Sequence, residues 1–444
     1  MTIVLGRPSL RGSTLAVEVE AGGAGRYLRS GTVWADYGDL DLSGVDPAVL
    51  VLPALGAVLP VAYASGVPVR VDAVDADFAA SAQELAALWP TVHPAFADAG
   101  AFSLHGTRVP GRRHDPVSPS PVDAALLLYS GGVDSSASLL RHRDGVKVLL
   151  SVWGADVALG DVPRWQAVSR AVDASPVTAG LRRVVVRTNV RDMTKDLRLS
   201  KERLAGTPWW AGAQHGTALL SLAAPVTTAL GLGRVYVAAS YHVGFSVPWG
   251  SSPATDEAMR WTGTHVVHDG FGLSRQDKIT RLVAPQVRTR GHTLAVCYRG
   301  DTVGRVNCGS CEKCLRTAAG LLLAGTAPSA AGLDVQPDDF DAFRSRVAGG
   351  GYGQGPGTLS SWRDMQPVVS AGLGDVPPHL RDFFRWLATV DLDSIPPKPF
   401  WSASRRWTEL RRWRSRVVER LPAAAPRLPG TASPAEYRPH QVAG

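Results

Sequence analysis

The chain reads as an α/β protein: a parallel sheet carrying a cysteine knuckle near its end, preceded by a small α/β unit and followed by a mostly helical region. Three observations predict this. Between residues 124 and 239 short apolar runs alternate with helical stretches, the pattern of strands buried on both faces of a parallel sheet. All four cysteines fall within eighteen residues. The composition, 45% hydrophobic and 19% charged, is globular over most of the 444 residues.

Residues 1–118 form the first expected unit. Runs 14–19 and 48–52 look like strands, and 79–89 has helical composition. The proline-rich stretch 109–121 reads as a linker. In the second unit, 122–325, strands are expected at 124–129, 146–152, 183–187 and 234–239, with helices at 135–141, 163–174 and 211–230. A further strand-like run, 292–298, leads into the cysteines. An apolar helix follows them, and residues 335–421 read as helical but irregular. The tail, 422–444, has the Pro- and Ala-rich composition of a disordered segment.

No run of about 18 apolar residues is present, so no transmembrane helix is expected. The N-terminus lacks the pattern of a signal peptide, and a cytoplasmic location is expected. The formal charge of +8 is largely local. Residues 404–420 hold seven arginines and two glutamates, which leaves +3 for the rest. The 401–421 stretch places Trp407, Leu410, Trp413, Val417, Val418 and Leu421 on one side of a helix. It can dock on an acidic partner, RNA or an anionic membrane surface, or cap the protein's own core.

At the end of the first apolar strand the chain runs Tyr129-Ser130-Gly131-Gly132-Val133-Asp134-Ser135-Ser136 into a helix. The glycines let the backbone turn sharply and approach a ligand. The helix start supplies unpaired N–H donors and partial positive charge, which suit phosphate. Ser130, Ser135 and Ser136 can add hydroxyl donors. Asp134 would repel phosphate directly and is expected to hold Mg²⁺ instead. The spacing Cys297-x10-Cys308-x2-Cys311-x2-Cys314 puts four thiols on one knuckle, as in a closed zinc site; disulfides or an iron–sulfur cluster are the alternatives.

The loop resembles the SGGxDS motif of the ATP pyrophosphatase (PP-loop) superfamily, matching at Ser130, Gly131, Gly132, Asp134 and Ser135. With the cysteine pattern behind it, the region from about 122 to 323 resembles the 7-cyano-7-deazaguanine synthase (QueC) family. That resemblance implies an adenine nucleotide alpha hydrolase-like (HUP) fold. It also implies ATP held by Ser130–Ser135, Zn²⁺ held by the four cysteines, and release of AMP and pyrophosphate. Such an enzyme adenylates a carboxylate, and ammonia or an amine displaces AMP. About 120 residues precede the loop and about 120 follow the knuckle, unlike the short members of that family. The family's substrate stretch is replaced by Tyr241–Phe245 and Trp249–Pro253. The likeness is to larger QueC-like proteins, some of which join a deazaguanine to a protein N-terminus, and it implies a small-molecule or protein-terminus carboxylate or amine as substrate.

Further candidates come from position. Gln214 and His215 open the long helix and can face the nucleotide. Tyr241 and His242 follow the fourth strand, at the edge where ligands bind. Arg275 and Lys278, spaced i, i+3, share one helix face and can neutralise leaving pyrophosphate. Arg187 and Asn189 are weaker candidates. Alternatives to the amidating enzyme are a catalytically silent nucleotide-binding regulatory or assembly subunit, and a tRNA-modifying PP-loop enzyme. A homodimer is left open.

Overall fold

The computed structural model describes residues 2–111, 124–245, 247–297, 305–349 and 356–395. Twelve strands make one mixed sheet: β1 (Ile3–Leu5), β2 (Ser9–Arg11), β3 (Thr14–Glu20), β4 (Gly31–Asp36), β5 (Val69–Asp75), β6 (Leu104–Val109), β7 (Ala125–Leu128), β8 (Val146–Trp153), β9 (Arg182–Thr188), β10 (Arg234–Ala238), β11 (Arg260–Trp261) and β12 (Thr264–Asp269). Their order is β11-β12-β10-β7-β8-β9-β4-β3-β1-β5-β6, with β2 beside β3.

The helices are α1 (Pro47–Leu50), α2 (Leu52–Ser65), α3 (Ala76–Val92), α4 (Val133–Arg141), α5 (Val162–Asp173), α6 (Asp196–Arg203), α7 (His215–Leu230), α8 (Pro253–Glu257), α9 (Arg275–Lys278), α10 (Ala284–Arg290), α11 (Glu312–Leu323), α12 (Pro337–Ala348), α13 (Pro356–Arg363), α14 (Gln366–Ala371) and α15 (Arg381–Thr389).

The run β12-β10-β7-β8-β9 is parallel throughout. Its apolar strands are buried because helices cover both faces. From β7 the chain winds outward through β8 to β9. It then returns through α7 to the other side of β7 as β10. This makes β7/β10 the point where the winding reverses, and ligands of such sheets bind outside the carboxyl ends there.

The sheet does not stop at the N-terminal unit. β4 pairs antiparallel with β9 at Ala35↔Thr188 and Asp36↔Arg187. Asn189, a weak ligand candidate by sequence, is used here. Its Oδ1 accepts from Trp34 N–H at 2.9 Å and its Nδ2 donates to Thr32 O at 2.8 Å. α2 lies against α7 so closely that a Cβ on Gly56 would sit 2.2 Å from Ser221 Oγ. One apolar core, from Ile3 to Val266, fills the space under both units. A second core packs α11 against α12–α15.

Two expected strands are absent. Residues 48–52 are helical, because Asp46 caps the turn by accepting from Ala48 N–H at 2.8 Å and Pro47 stands at its first position. Residues 292–297 form no strand, and the rest of that run lies outside the described residues. β12 was hidden in a polar stretch, THVVHD, whose buried positions hold histidine and aspartate. Most of the 109–121 linker, all of 401–421 and the 422–444 tail lie outside the described residues. Among the described residues no helix is long and apolar enough to cross a membrane.

Candidate functional site

The loop leaves β7 at the winding reversal. Gly131 takes φ +77°, a region only glycine enters without strain. A Cβ there would also meet Val172 Cγ2 at 3.0 Å. Gly131 O accepts from Ala295 N–H at 2.8 Å, so the segment before Cys297 clamps the loop from the side. Ser130 and Ser135 hold the turn between them, with Oγ atoms 3.3 Å apart and Gly132 N–H directed at Ser130 Oγ at 3.4 Å.

Ser136 faces away from the loop's mouth. Its hydroxyl lies 3.3 Å from Tyr129 Oη and 3.1 Å from His292 Nε2, and His292 Nδ1 lies 2.8 Å from Ser175 Oγ. This chain is a buried support beneath the loop. Burial pushes the His292 imidazole down to about 4.

Asp134 occupies the first turn of α4, and the two cations expected from spacing converge on it. Arg275 Nη1 donates to Oδ2 at 2.5 Å and Lys278 Nζ to Oδ1 at 3.2 Å. Burial pushes this carboxyl up, but Arg275, Lys278 and Lys313 outweigh it and hold it at about 2. Asp134 is therefore ionised at neutral pH. Lys278 also donates to Ala239 O at 2.6 Å, which ties α9 to the carboxyl end of β10. Gly270, at φ +80°, makes room for it: a Cβ would lie 3.2 Å from Lys278 Cε.

Arg275 is only 7% exposed, and its Nε and Nη2 have no hydrogen-bond partner. A buried donor left unmade costs about 1–3 kcal/mol. The structure thus brings together an N–H-rich loop, an ionised carboxylate and two cations, one with spare donors.

The four cysteines also come together. Their sulfurs all lie within 4.8 Å of one another, with Cys297–Cys311 at 3.8 Å and Cys311–Cys314 at 3.5 Å. Sulfurs placed tetrahedrally at 2.3 Å around one zinc ion stand about 3.8 Å apart, so the set fits that ion. It does not fit disulfides, which need about 2.05 Å between bonded sulfurs. Cys311 N–H points at Cys308 Sγ at 3.3 Å.

The knuckle and the loop are mechanically joined. Cys311 stands at the position just before α11, and α9 lies across α11, where Gln276 Nε2 donates to Gly320 O at 3.0 Å. Glu312, the first residue of α11, is buried. Its Oε1 accepts from Trp362 Nε1 at 2.9 Å and lies 3.3 Å from Arg316 Nε. Burial raises its carboxyl, while Arg316, Trp362 and Arg275 oppose the shift. Nothing in the sequence pattern marked Glu312 or Trp362. The one available signal was that Glu312 stands between two metal-spaced cysteines.

The remaining candidates are elsewhere engaged. Gln214 is fully buried in a wide π turn, Trp210–Gln214, before α7. Its Oε1 accepts from Thr194 at 3.1 Å and its Nε2 donates to Ala57 O and Val190 O, so its bonds are spent in the core. His215 Nδ1 lies 3.0 Å from Trp210 O, and burial lowers its imidazole. His242 stands just beyond β10. Its Nδ1 accepts from Gly244 N–H at 3.1 Å and its Nε2 lies 3.2 Å from Asp364 Oδ1, just after α13. Arg187 pairs with Asp36 at 3.5 Å, over the rings of Trp34 and Trp153. Comparison of the chain with protein-family models, with curated proteins and with solved structures found no match in any of the three.

Proposed function

We propose that this chain is an AMP-forming, ATP-dependent enzyme of the PP-loop type, resembling QueC, that activates a carboxylate and passes it to ammonia or an amine. The observation that carries the reading is that Arg275, with two buried nitrogens left unpartnered, and Lys278 converge on Asp134 in the first turn of the helix that follows the Ser-Gly-Gly loop at the sheet's reversal point.

In this reading the β- and γ-phosphates lie on the loop, which offers its backbone N–H groups and the hydroxyls of Ser130 and Ser135. Arg275 and Lys278 take up the charge that grows on pyrophosphate as it leaves. Asp134 would hold Mg²⁺, whose chemistry here is to neutralise the phosphates. The substrate carboxylate oxygen attacks the α-phosphorus, the bond to the bridging oxygen of pyrophosphate breaks, and an acyl-adenylate forms. The nitrogen nucleophile then displaces AMP. His242 lies at the same sheet end, but Gly244 N–H and Asp364 already engage both its ring nitrogens, so it has no proton-transfer role in this reading.

The cysteines would hold Zn²⁺ as a closed structural site. With all four sulfurs committed, none serves as a sulfur carrier, which favours amidation over thiolation.

The test is AMP and pyrophosphate release from ATP and Mg²⁺, with and without 7-carboxy-7-deazaguanine and ammonia, and the product mass. AMP release that depends on the acid supports both activity and substrate. Release with other acids keeps the activity and discards that substrate. ATP binding with no AMP under any acid and amine points to a silent nucleotide-binding subunit.

A further inference from the structure

We infer that Asp134 is a resident counter-anion of the loop: an incoming phosphoryl group takes Arg275 and Lys278 from it, and only then can its carboxylate accept a divalent cation. This rests on the loop being a phosphate site, and adds how that site is loaded.

Both oxygens of Asp134 are already held, Oδ2 by Arg275 and Oδ1 by Lys278. A divalent cation approaching it would meet two positive charges at hydrogen-bond distance from those same oxygens. It would also meet the positive end of α4 and the field of Lys313, which acts on the same carboxyl. Cation binding to the resting site is therefore opposed by its own surroundings.

An anion meets the opposite conditions. Arg275 Nε and Nη2 have no acceptor although the side chain is more than nine-tenths buried. Lys278 has three N–H bonds and spends two, on Asp134 and Ala239 O. The one N–H of Arg275 Nε, the two of Nη2 and the third of Lys278 are thus unspent, four in all, and phosphoryl oxygens would satisfy them. Once they do, the cations' charge is compensated by the ligand and Asp134 is left ionised and unpaired. It then becomes the oxygen ligand that a divalent cation lacked. Anion and cation favour each other's binding, and by linkage the coupling is reciprocal.

The arrangement has a consequence that a simple metal-ligand role for Asp134 lacks. Without divalent cation, Asp134 competes with phosphate for the same donors. Removing its charge should then strengthen anion binding, although the same change destroys the cation site.

The experiment measures pyrophosphate affinity by calorimetry for the full chain and D134N, with Mg²⁺ and in buffer freed of divalent cations without chelator, so that the cysteine site is left alone. In cation-free buffer D134N should bind pyrophosphate about tenfold or more tightly than the parent chain, and Mg²⁺ should tighten the parent about tenfold but D134N little. In the R275M background the gain from D134N should shrink to less than about threefold, because the contested donors are gone.

Equal or weaker binding by D134N without cation overturns the exchange, as does a parent affinity indifferent to Mg²⁺. Should D134N not fold, the Mg²⁺ dependence of the parent and of R275M still decides. Absence of AMP formation would remove the enzymatic reading and leave these affinities standing. AMP formation with the opposite affinities would remove only the exchange.

Discussion

The two ends of α4 each hold a buried or half-buried aspartate, and they differ in one respect. At the start, Asp134 meets Arg275 and Lys278, and donors are left over. At the end, Asp269 of β12 accepts from Ser138 at 2.6 Å, lies 2.8 Å from His142 Nε2 and 3.4 Å from Arg141 Nε, and both its oxygens are used. Cations at a helix C-terminus also offset the partial negative charge there. The second cluster is complete, so its work is to fasten α4 to β12. The first leaves Arg275 Nε and Nη2 without a partner, and in the proposed reading a ligand takes them up.

Identical substitutions test this most sharply. D134N should lower AMP formation by about a thousandfold or more, with the circular dichroism spectrum unchanged, since it removes an interaction specific to the reacting complex. D269N should leave turnover per folded molecule within about twofold while costing about 1–3 kcal/mol in urea unfolding, the loss expected when buried hydrogen bonds such as that from Ser138 are weakened. If D269N cut turnover as deeply as D134N, the division of labour along α4 would be wrong.

The next effect in size concerns the knuckle. Replacing Cys311 with serine should abolish stoichiometric zinc, measured by emission spectrometry, and lower the melting temperature by about 10 °C or more. Because α11 underlies α9, pyrophosphate affinity should fall as well. Zinc loss with unchanged affinity would separate the two sites.

His292 gives a pH signature. Its folded pKa, about 4, lies below the ordinary value of 6.5. The unfolded chain therefore binds the extra proton between those values and the folded chain does not, so stability is full above about pH 6.5 and falls as pH drops toward 4. The expected loss is about 3 kcal/mol, and H292N should flatten that slope. A slope equally steep in H292N would mean another group titrates. The smallest effect is expected for Gly270→Ala, which strains a positive φ and crowds Lys278. It should weaken pyrophosphate binding about threefold, read by the same calorimetry.

The parallel sheet was legible because apolar runs such as 146–152 and 183–187 carry their burial in their composition. The Ser130–Ser135 loop and the cysteine knuckle were legible because their function demands adjacency in sequence. Arg275 and Lys278 could be paired by spacing, but their shared partner, 141 and 144 residues away, could not. β12 was missed because its histidine and aspartate are satisfied only by distant residues such as Ser138 and Asp256. The 48–52 error came from weighing β-branched valines above the capping Asp46 and Pro47. Gln214 shows the converse: a polar residue beside a plausible site whose partners, Ala57 among them, lie in a different part of the sequence.

The join between β4 and β9 bears on how the chain can be cut. Without the first 111 residues β9 loses its pairing at Arg187 and Thr188 and becomes an edge strand, and the apolar back of α7 loses α2. Such an edge invites pairing with another copy, and natural proteins cover or charge it. The N-terminal unit thus acts as a permanent edge guard, and a protein starting at residue 119 should aggregate rather than yield a smaller working enzyme.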